Sequence, residues 1–177
     1  MNEETQSDKK NRSEIAAADA SRADAETAAR LKSLRIKAGL DPEGLADKIG
    51  ISVAWYEDLE SQPGELEAGL VMTQLWMLAN QLQVGMAFLV EGRAIPEDVA
   101  ETPFLEVARL IRLRLEHSKD VHSLEEKTGW DLAGFLKHPD AEGWDMRLPF
   151  FRDVCKELGI DYRGVLRYCE SLREEAE

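Results

Sequence analysis

Residues 31–60 read LKSLRIKAGLDPEGLADKIGISVAWYEDLE, and this stretch decides the fold. The apolar residues of its first part recur at i, i+3 and i+7, which places them on one face of an α-helix: Leu31, Leu34 and Ala38. Asp41 is a typical N-cap, Pro42 suits the first helical position and Gly50 fits a C-terminal stop. Ser52 can cap a further short helix, so the stretch predicts three helices separated by tight turns.

The helical pattern continues to residue 90. Residues 61–64 contain Pro63 and Gly64 and indicate a loop. A longer helix follows, and its inward-facing residues are Leu75, Leu78, Ala79 and Leu82. Residues 86–90 indicate a short closing helix. No segment of the chain alternates convincingly at period two, so we expect an all-α fold without a sheet.

The first helical set recurs later in the chain. Shifting residues 31–50 by 79 gives seven identities in twenty positions, at Leu31, Leu34, Arg35, Asp41, Leu45, Lys48 and Gly50. With an offset of 76, the match continues from Leu78, Ala79, Leu82 and Val84 to Val154, Cys155, Leu158 and Ile160. A self-match of this kind predicts two copies of one supersecondary unit. The shared Asp cap and Gly stop make a chance alignment of two amphipathic helices a weaker explanation.

Composition shifts divide the chain into five segments. Residues 1–27 are a polar tail, flexible or a frayed helix, because residues 13–30 hold eight alanines but no apolar stripe. A solvated extension of the next helix and a partner-binding arm are the alternatives. The first helical domain covers 28–91, a linker with Gly and Pro covers 92–103, and the degenerate repeat covers 104–170. Residues 171–177 are an acidic tail.

The first copy resembles the Cro/lambda-repressor-like (XRE) helix-turn-helix family over residues 31–90. The matching residues are Leu34-Arg35-Ile36-Lys37-Ala38-Gly39-Leu40, Leu45-Ala46, Gly50-Ile51-Ser52, Tyr56-Glu57-Asp58-Leu59-Glu60, Leu75-Trp76-Met77-Leu78-Ala79 and Leu82-Gln83-Val84. The resemblance implies two tandem five-helix bundles. It also implies that 42–49 and 53–60 are the two helices of the DNA-binding unit, the second of which enters the major groove.

The resemblance further implies a structural ion pair. An Arg on the first helix commonly pairs in this family with a Glu that ends the third, and these positions are Arg35 and Glu60 here. Two exposed charges are the alternative. The second copy keeps the arginine as Arg114 but has Pro139 at the acidic position, where Asp140 could substitute.

The family's base-reading residues are not present. Asp41-Pro42 stands where Ser/Thr-Gln is common, and Val53-Ala54 stands where the third helix commonly exposes polar readers. The candidate DNA-binding residues are Lys48, Ser52, Val53, Ala54, Trp55 and Asp58. Apolar residues at these positions favour protein contact, for which the candidates are Val53, Trp55, Leu132, Ala133 and Phe135. Packing of the two copies on each other, or of Trp55 in its own core, is the alternative.

Composition excludes several classes of function. The chain has 22 Lys+Arg against 35 Asp+Glu, a net charge of −13, which argues against bulk nucleic-acid binding and against an anionic membrane as partner. No apolar run is long enough to span a membrane, the N-terminus does not look like a secretory signal, and Cys155 and Cys169 cannot form a disulfide framework. We expect a cytoplasmic protein without a metal or cofactor, and not an enzyme, since no catalytic or phosphate-binding motif is present.

Two functions remain open from the sequence. The first is an XRE-like transcriptional regulator that binds DNA weakly, or as a dimer or complex. The second is an acidic tandem helix-turn-helix module, antitoxin-, immunity- or adaptor-like, that binds a protein and has lost base readout. The family resemblance favours the first, while the charge and the missing readers favour the second. The expected partner is accordingly DNA or a protein, and a homodimer fits either function.

Overall fold

The computed structural model describes residues 6–96, 98–117, 120–137 and 146–174, and every regular element in these ranges is a helix. The prediction of an all-α fold is therefore confirmed for the described residues. Outside the helices, the described backbone forms an isolated antiparallel bridge between Val71 and Arg147. Pro139 and Asp140, which were considered for the acidic position of the second copy, lie outside the described residues.

The helices fall into an N-terminal and a C-terminal half. The first half contains α1 (Gln6–Lys37), α2 (Pro42–Ile49), α3 (Val53–Ser61), α4 (Glu65–Gly69), α5 (Met72–Gln81) and α6 (Met86–Glu91). The second contains α7 (Phe104–Glu116), α8 (Val121–Thr128), α9 (Leu132–Lys137), α10 (Leu148–Glu157) and α11 (Arg163–Glu174). The first half thus has six helical segments where five were expected, because Leu66 and Leu70 are buried and draw the short helix α4 into the core.

Helix α1 runs without a break from the predicted tail into the bundle. Arg22 and Ala23 are exposed, and Thr27 and Ala28 are buried. The Thr27 hydroxyl donates to the Val90 carbonyl oxygen at 3.2 Å, at the end of α6. Residues 6–27 of the predicted tail thus belong to the same helix as the first buried residues of the bundle.

The caps of α2 and α8 repeat. The Asp41 side chain accepts from the Gly44 N–H at 2.7 Å, and Asp120 accepts from Ser123 N–H at 2.9 Å. Both helices end at a glycine in the left-handed region, with φ of 71° at Gly50 and 73° at Gly129. Glycine adopts this conformation without steric cost.

Helix bounds and packing follow the same offsets as the sequence. Shifting α2 by 79 gives the bounds of α8, and shifting α5 by 76 gives those of α10. In the first half α2 packs on α3, α3 on α1, α5 on α2 and α6 on α1. The second half repeats these contacts as α8 on α9, α9 on α7, α10 on α8 and α11 on α7. Four helix-to-helix contacts of the first half thus recur in the second, although α4 has no counterpart among the described helices of the second half.

The halves meet at equivalent positions. The Met72 N–H donates to the Met146 carbonyl oxygen at 2.8 Å, which joins the starts of α5 and α10, and α6 packs on α11. Arg152 donates to Glu67 at 2.9 Å across the same boundary. The contact of α6 with α11 therefore joins corresponding helices, whereas that of Arg152 with Glu67 joins α10 to α4. The predicted linker also packs, since Ile95 is buried.

Candidate functional site

Helix α3 has a buried side and an exposed side. The Ser52 hydroxyl oxygen accepts from the Trp55 N–H at 3.2 Å and caps the helix. Tyr56 and Leu59 are both 0% exposed and anchor α3 in the core. The opposite side presents four exposed residues, which we call the open face of α3: Val53, Ala54, Glu57 and Asp58. The open face therefore exposes three of the predicted site residues, Val53, Ala54 and Asp58, to solvent, while the other side of the helix stays anchored in the core.

Trp55 is not part of this face. Its side chain is half-buried and packs against the core. A Cβ built on Gly69 would lie 3.2 Å from Trp55 Nε1, so the indole lies close against the end of α4. Trp55 was a candidate both for DNA contact and for protein contact, and its burial supports the alternative in which it belongs partly to its own core.

The surface around α3 is acidic. Lys48 is the only cationic residue in the sequence of 41–61, and its Nζ donates to Gln81 Oε1 on α5 at 2.6 Å. The exposed acidic residues of the same stretch are Asp41, Glu43, Asp47, Glu57 and Asp58. Within this stretch five exposed carboxylates stand against one ammonium group, so its net charge would repel a phosphate backbone.

The second unit does not present an equivalent face. Leu132, at the position that corresponds to Val53, is 1% exposed and belongs to the core, whereas Val53 is 38% exposed. Ala133 is half-buried, and Phe135 packs on the Phe150 ring with centroids 5.7 Å apart. The Arg112 guanidinium lies 4.9 Å from the centroid of the Phe135 ring. The prediction of an exposed apolar patch at Leu132, Ala133 and Phe135 is therefore wrong, because tertiary packing buries its leading residue.

A carboxylate also closes the start of α9. Glu125 Oε1 accepts from the Ala133 N–H at 2.8 Å, and Asp131 accepts from the Gly134 N–H at 2.6 Å. The position of Glu125 corresponds to Ala46 in the first unit, which is buried and carries no carboxylate. Sequence reasoning missed this contact, although the acid at 125 against alanine at 46 was the signal that could have found it.

Arg35 and Glu60 form the ion pair expected from the sequence. Arg35 donates through Nε to Glu60 Oε1 at 2.5 Å and through Nη2 to Glu60 Oε2 at 2.9 Å. The two side chains are 13% and 8% exposed. The hydrogen bond to Glu60 raises the pKa of Arg35 above its usual value, and burial followed by the negative charge of Glu60 raises that of Tyr56. In the second unit, Arg114 instead donates to the Leu158 carbonyl oxygen.

Other chemistry is sparse in the described residues. No group of three or more His, Cys, Asp and Glu there could hold a metal ion. A cavity of about 310 Å³ lies between the linker and the start of α11. Two of its charged lining residues, Asp161 and Arg163, pair with each other at 2.7 Å, and Asp98 is the third. No described helix has both the length and the apolar character that a membrane span requires.

Cys155 is a buried core thiol rather than a reactive one. It is 0% exposed, and burial raises its pKa to about 12. We expect Cys155 to resist a disulfide reagent in the native protein and to react only after unfolding, because the thiolate is the attacking species. Labelling of a Cys169→Ser variant with and without denaturant isolates this thiol. Rapid native labelling would contradict its burial.

Comparison with family models, with curated proteins and with solved structures gives no match for this chain. The resemblance to the Cro/lambda-repressor-like family therefore stays a prediction. The function proposed below rests on the geometry and charge of the chain itself.

Proposed function

We propose that this chain is a regulatory module of two lambda-repressor-like helix-turn-helix units whose first unit binds another protein. The observation that carries the proposal is the open face of α3. It presents Val53 and Ala54 at the end of the helix where a DNA reader presents hydrogen-bonding side chains, and acids follow one turn later. Antitoxin-, immunity- and adaptor-like proteins are the classes that fit such a module.

The physical chemistry of this face favours protein over DNA. Val53 and Ala54 have no side-chain donor or acceptor for a base edge, whereas burying them against an apolar surface is favourable. Lys48 donates to Gln81, which holds its ammonium group beside α5, and it is the only cationic residue in the sequence of 41–61. With a chain charge of −13, few counterions would be released on DNA binding, and that release is the main source of non-specific affinity.

A second candidate function is an XRE-like DNA-binding transcriptional regulator. The observation in its favour is that α2 and α3 pack on each other and are joined by only three residues, 50–52. The first turn of α3 is also exposed, as the reading end of a helix-turn-helix must be. In this function Lys48 and Ser52 would contact phosphate, and Val53, Ala54 and Asp58 would face the groove.

Titration with DNA distinguishes the two functions. We expect no sequence-specific binding at physiological salt to the DNA that flanks the gene. We also expect Lys48→Ala to leave any residual DNA binding, and its dependence on salt, unchanged. A gel-shift series against salt concentration measures both. If specific binding persists at physiological salt, and Lys48→Ala flattens the salt slope by about one unit, the DNA function replaces the protein-binding one.

A complementary test replaces the apolar start of the open face. Val53→Asp should abolish co-purification of a protein partner, since a charge would be buried in an apolar contact. Leu113→Asp is the matched control, because Leu113 is 49% exposed in the second half and outside the open face. Equal loss of the partner in both variants would contradict a contact centred on α3.

A further inference from the structure

We infer that the partner of the open face is a basic protein segment that places an apolar side chain against Val53. This inference rests on the proposed function and names the chemistry of its partner. It combines two features of one surface, an apolar first turn and an acidic second turn. Each feature is set by exposed residues of a helix whose buried side is fixed in the core.

Helical spacing joins the two features. Glu57 follows Val53 by four residues and Asp58 follows Ala54 by four, so each acid lies one turn along the same face from an apolar residue. An apolar side chain from a partner can therefore contact Val53 and Ala54, while its Lys or Arg side chains reach Glu57 and Asp58. The spacing along α3 requires the apolar and basic side chains of the partner to lie about one helical turn apart.

The charge of the residues near the open face determines which sign of charge the partner must carry. Asp41, Glu43 and Asp47 on the neighbouring α2 are exposed as well. Complementary charge speeds diffusional encounter and makes wrong partners costly, so a basic segment is attracted and an acidic one is repelled. Association should consequently weaken as salt rises.

The second unit shows that this surface is particular to the first. The positions that correspond to Glu57 and Asp58 are Leu136 and Lys137, so the acidic turn is absent there. Leu132 is buried and Glu125 caps the Ala133 N–H, so the apolar turn is closed too. One basic segment per chain is expected, bound at α3.

The test uses the full chain and two synthetic helical peptides of equal length and leucine content. One peptide carries lysine and the other glutamate on the polar face. Fluorescence anisotropy at low and at physiological ionic strength measures binding of each. We expect the leucine–lysine peptide to bind with an affinity that falls as salt rises, and the leucine–glutamate peptide not to bind.

Three variants separate binding at α3 from general attraction to an acidic protein. Asp58→Lys should weaken binding of the leucine–lysine peptide about tenfold at low salt, because a contact charge is reversed. Glu126→Lys makes the same change in net charge at an exposed position of the second unit and should weaken it less than about twofold. Val53→Ser should weaken binding about fivefold without a change in charge, because the apolar contact is lost.

The outcomes distinguish this inference from the proposed function. Absence of binding by the leucine–lysine peptide, or equal effects of Asp58→Lys and Glu126→Lys, overturns the basic partner. Loss of a co-purified protein in Val53→Asp would leave the protein-binding function standing in that case. Specific, Lys48-dependent binding to DNA that persists at physiological salt overturns the function and the inference together.

Discussion

Leu132→Asp is expected to lower the free energy of unfolding by about 4 kcal/mol, since it removes a buried leucine and places a charge in the core. Leu132 is 1% exposed and lies in the same core cluster as Phe150 and Phe151. Val53→Asp, the change at the corresponding position of the first unit, should alter stability by no more than about 0.5 kcal/mol. An aspartate at the start of a helix is also favourable for the helix dipole.

Urea unfolding followed by circular dichroism measures both changes. The two changes in stability can be compared directly, because the two positions correspond in the repeat and receive the same substitution. A small effect at Leu132 would mean that the start of α9 is exposed like that of α3. A large effect at Val53 would remove the open face, and the proposed partner contact would lose its basis.

The repeat explains what could be predicted of the fold. Caps are local, so Asp41 and Gly50 predict the bounds of α2, and the offset of 79 carries them to Asp120 and Gly129. The burial of a residue, in contrast, depends on contacts between distant parts of the chain. Val53 and Leu132 look alike in sequence, yet one is exposed and the other buried, because tertiary contacts close the start of α9, where Glu125 on α8 accepts from the Ala133 N–H.

The segment that follows α3 shows a second limit of the sequence. Pro63 and Gly64 correctly indicate a break in the helix, but nothing local indicates that Glu65–Gly69 forms a helix of its own. Isolated helices of this length are unstable, so α4 forms because Leu66 and Leu70 bury their side chains against the rest of the core. That stabilisation depends on the whole fold.

The candidate site likewise contains contacts that the sequence predicts and contacts that it does not. The pairing of Arg35 with Glu60 follows from residues that the resemblance places on two packed helices, and the structure has it. The partner of Lys48 could not be predicted, because Gln81 lies 33 residues away on α5 and no pattern in the sequence links the two residues. Long-range polar contacts of this kind decide where a charged side chain is held.

Glu60→Ala is expected to lower the free energy of unfolding by about 3 kcal/mol, because it leaves the Arg35 guanidinium largely buried and without its carboxylate. The Arg35 side chain is 13% exposed, and its Nη1 would keep only the Leu40 carbonyl oxygen at 3.1 Å. Glu26→Ala is the matched control. Glu26 pairs with Arg22 on α1 at 3.9 Å, but the two side chains are 65% and 73% exposed, so about 0–1 kcal/mol is expected.

A double substitution tests whether the cost comes from the orphaned charge. Replacing both partners with apolar residues, as in Arg35→Met with Glu60→Leu, should be less destabilising than Glu60→Leu alone, since no unpaired charge is left in the core. Denaturant unfolding of the single and double variants gives the coupling free energy directly. If the two substitutions add without coupling, or if Glu60→Ala costs no more than Glu26→Ala, the pair does not stabilise the first unit. The packing of Tyr56 and Leu59 would then account for the position of α3 on α1 and α2.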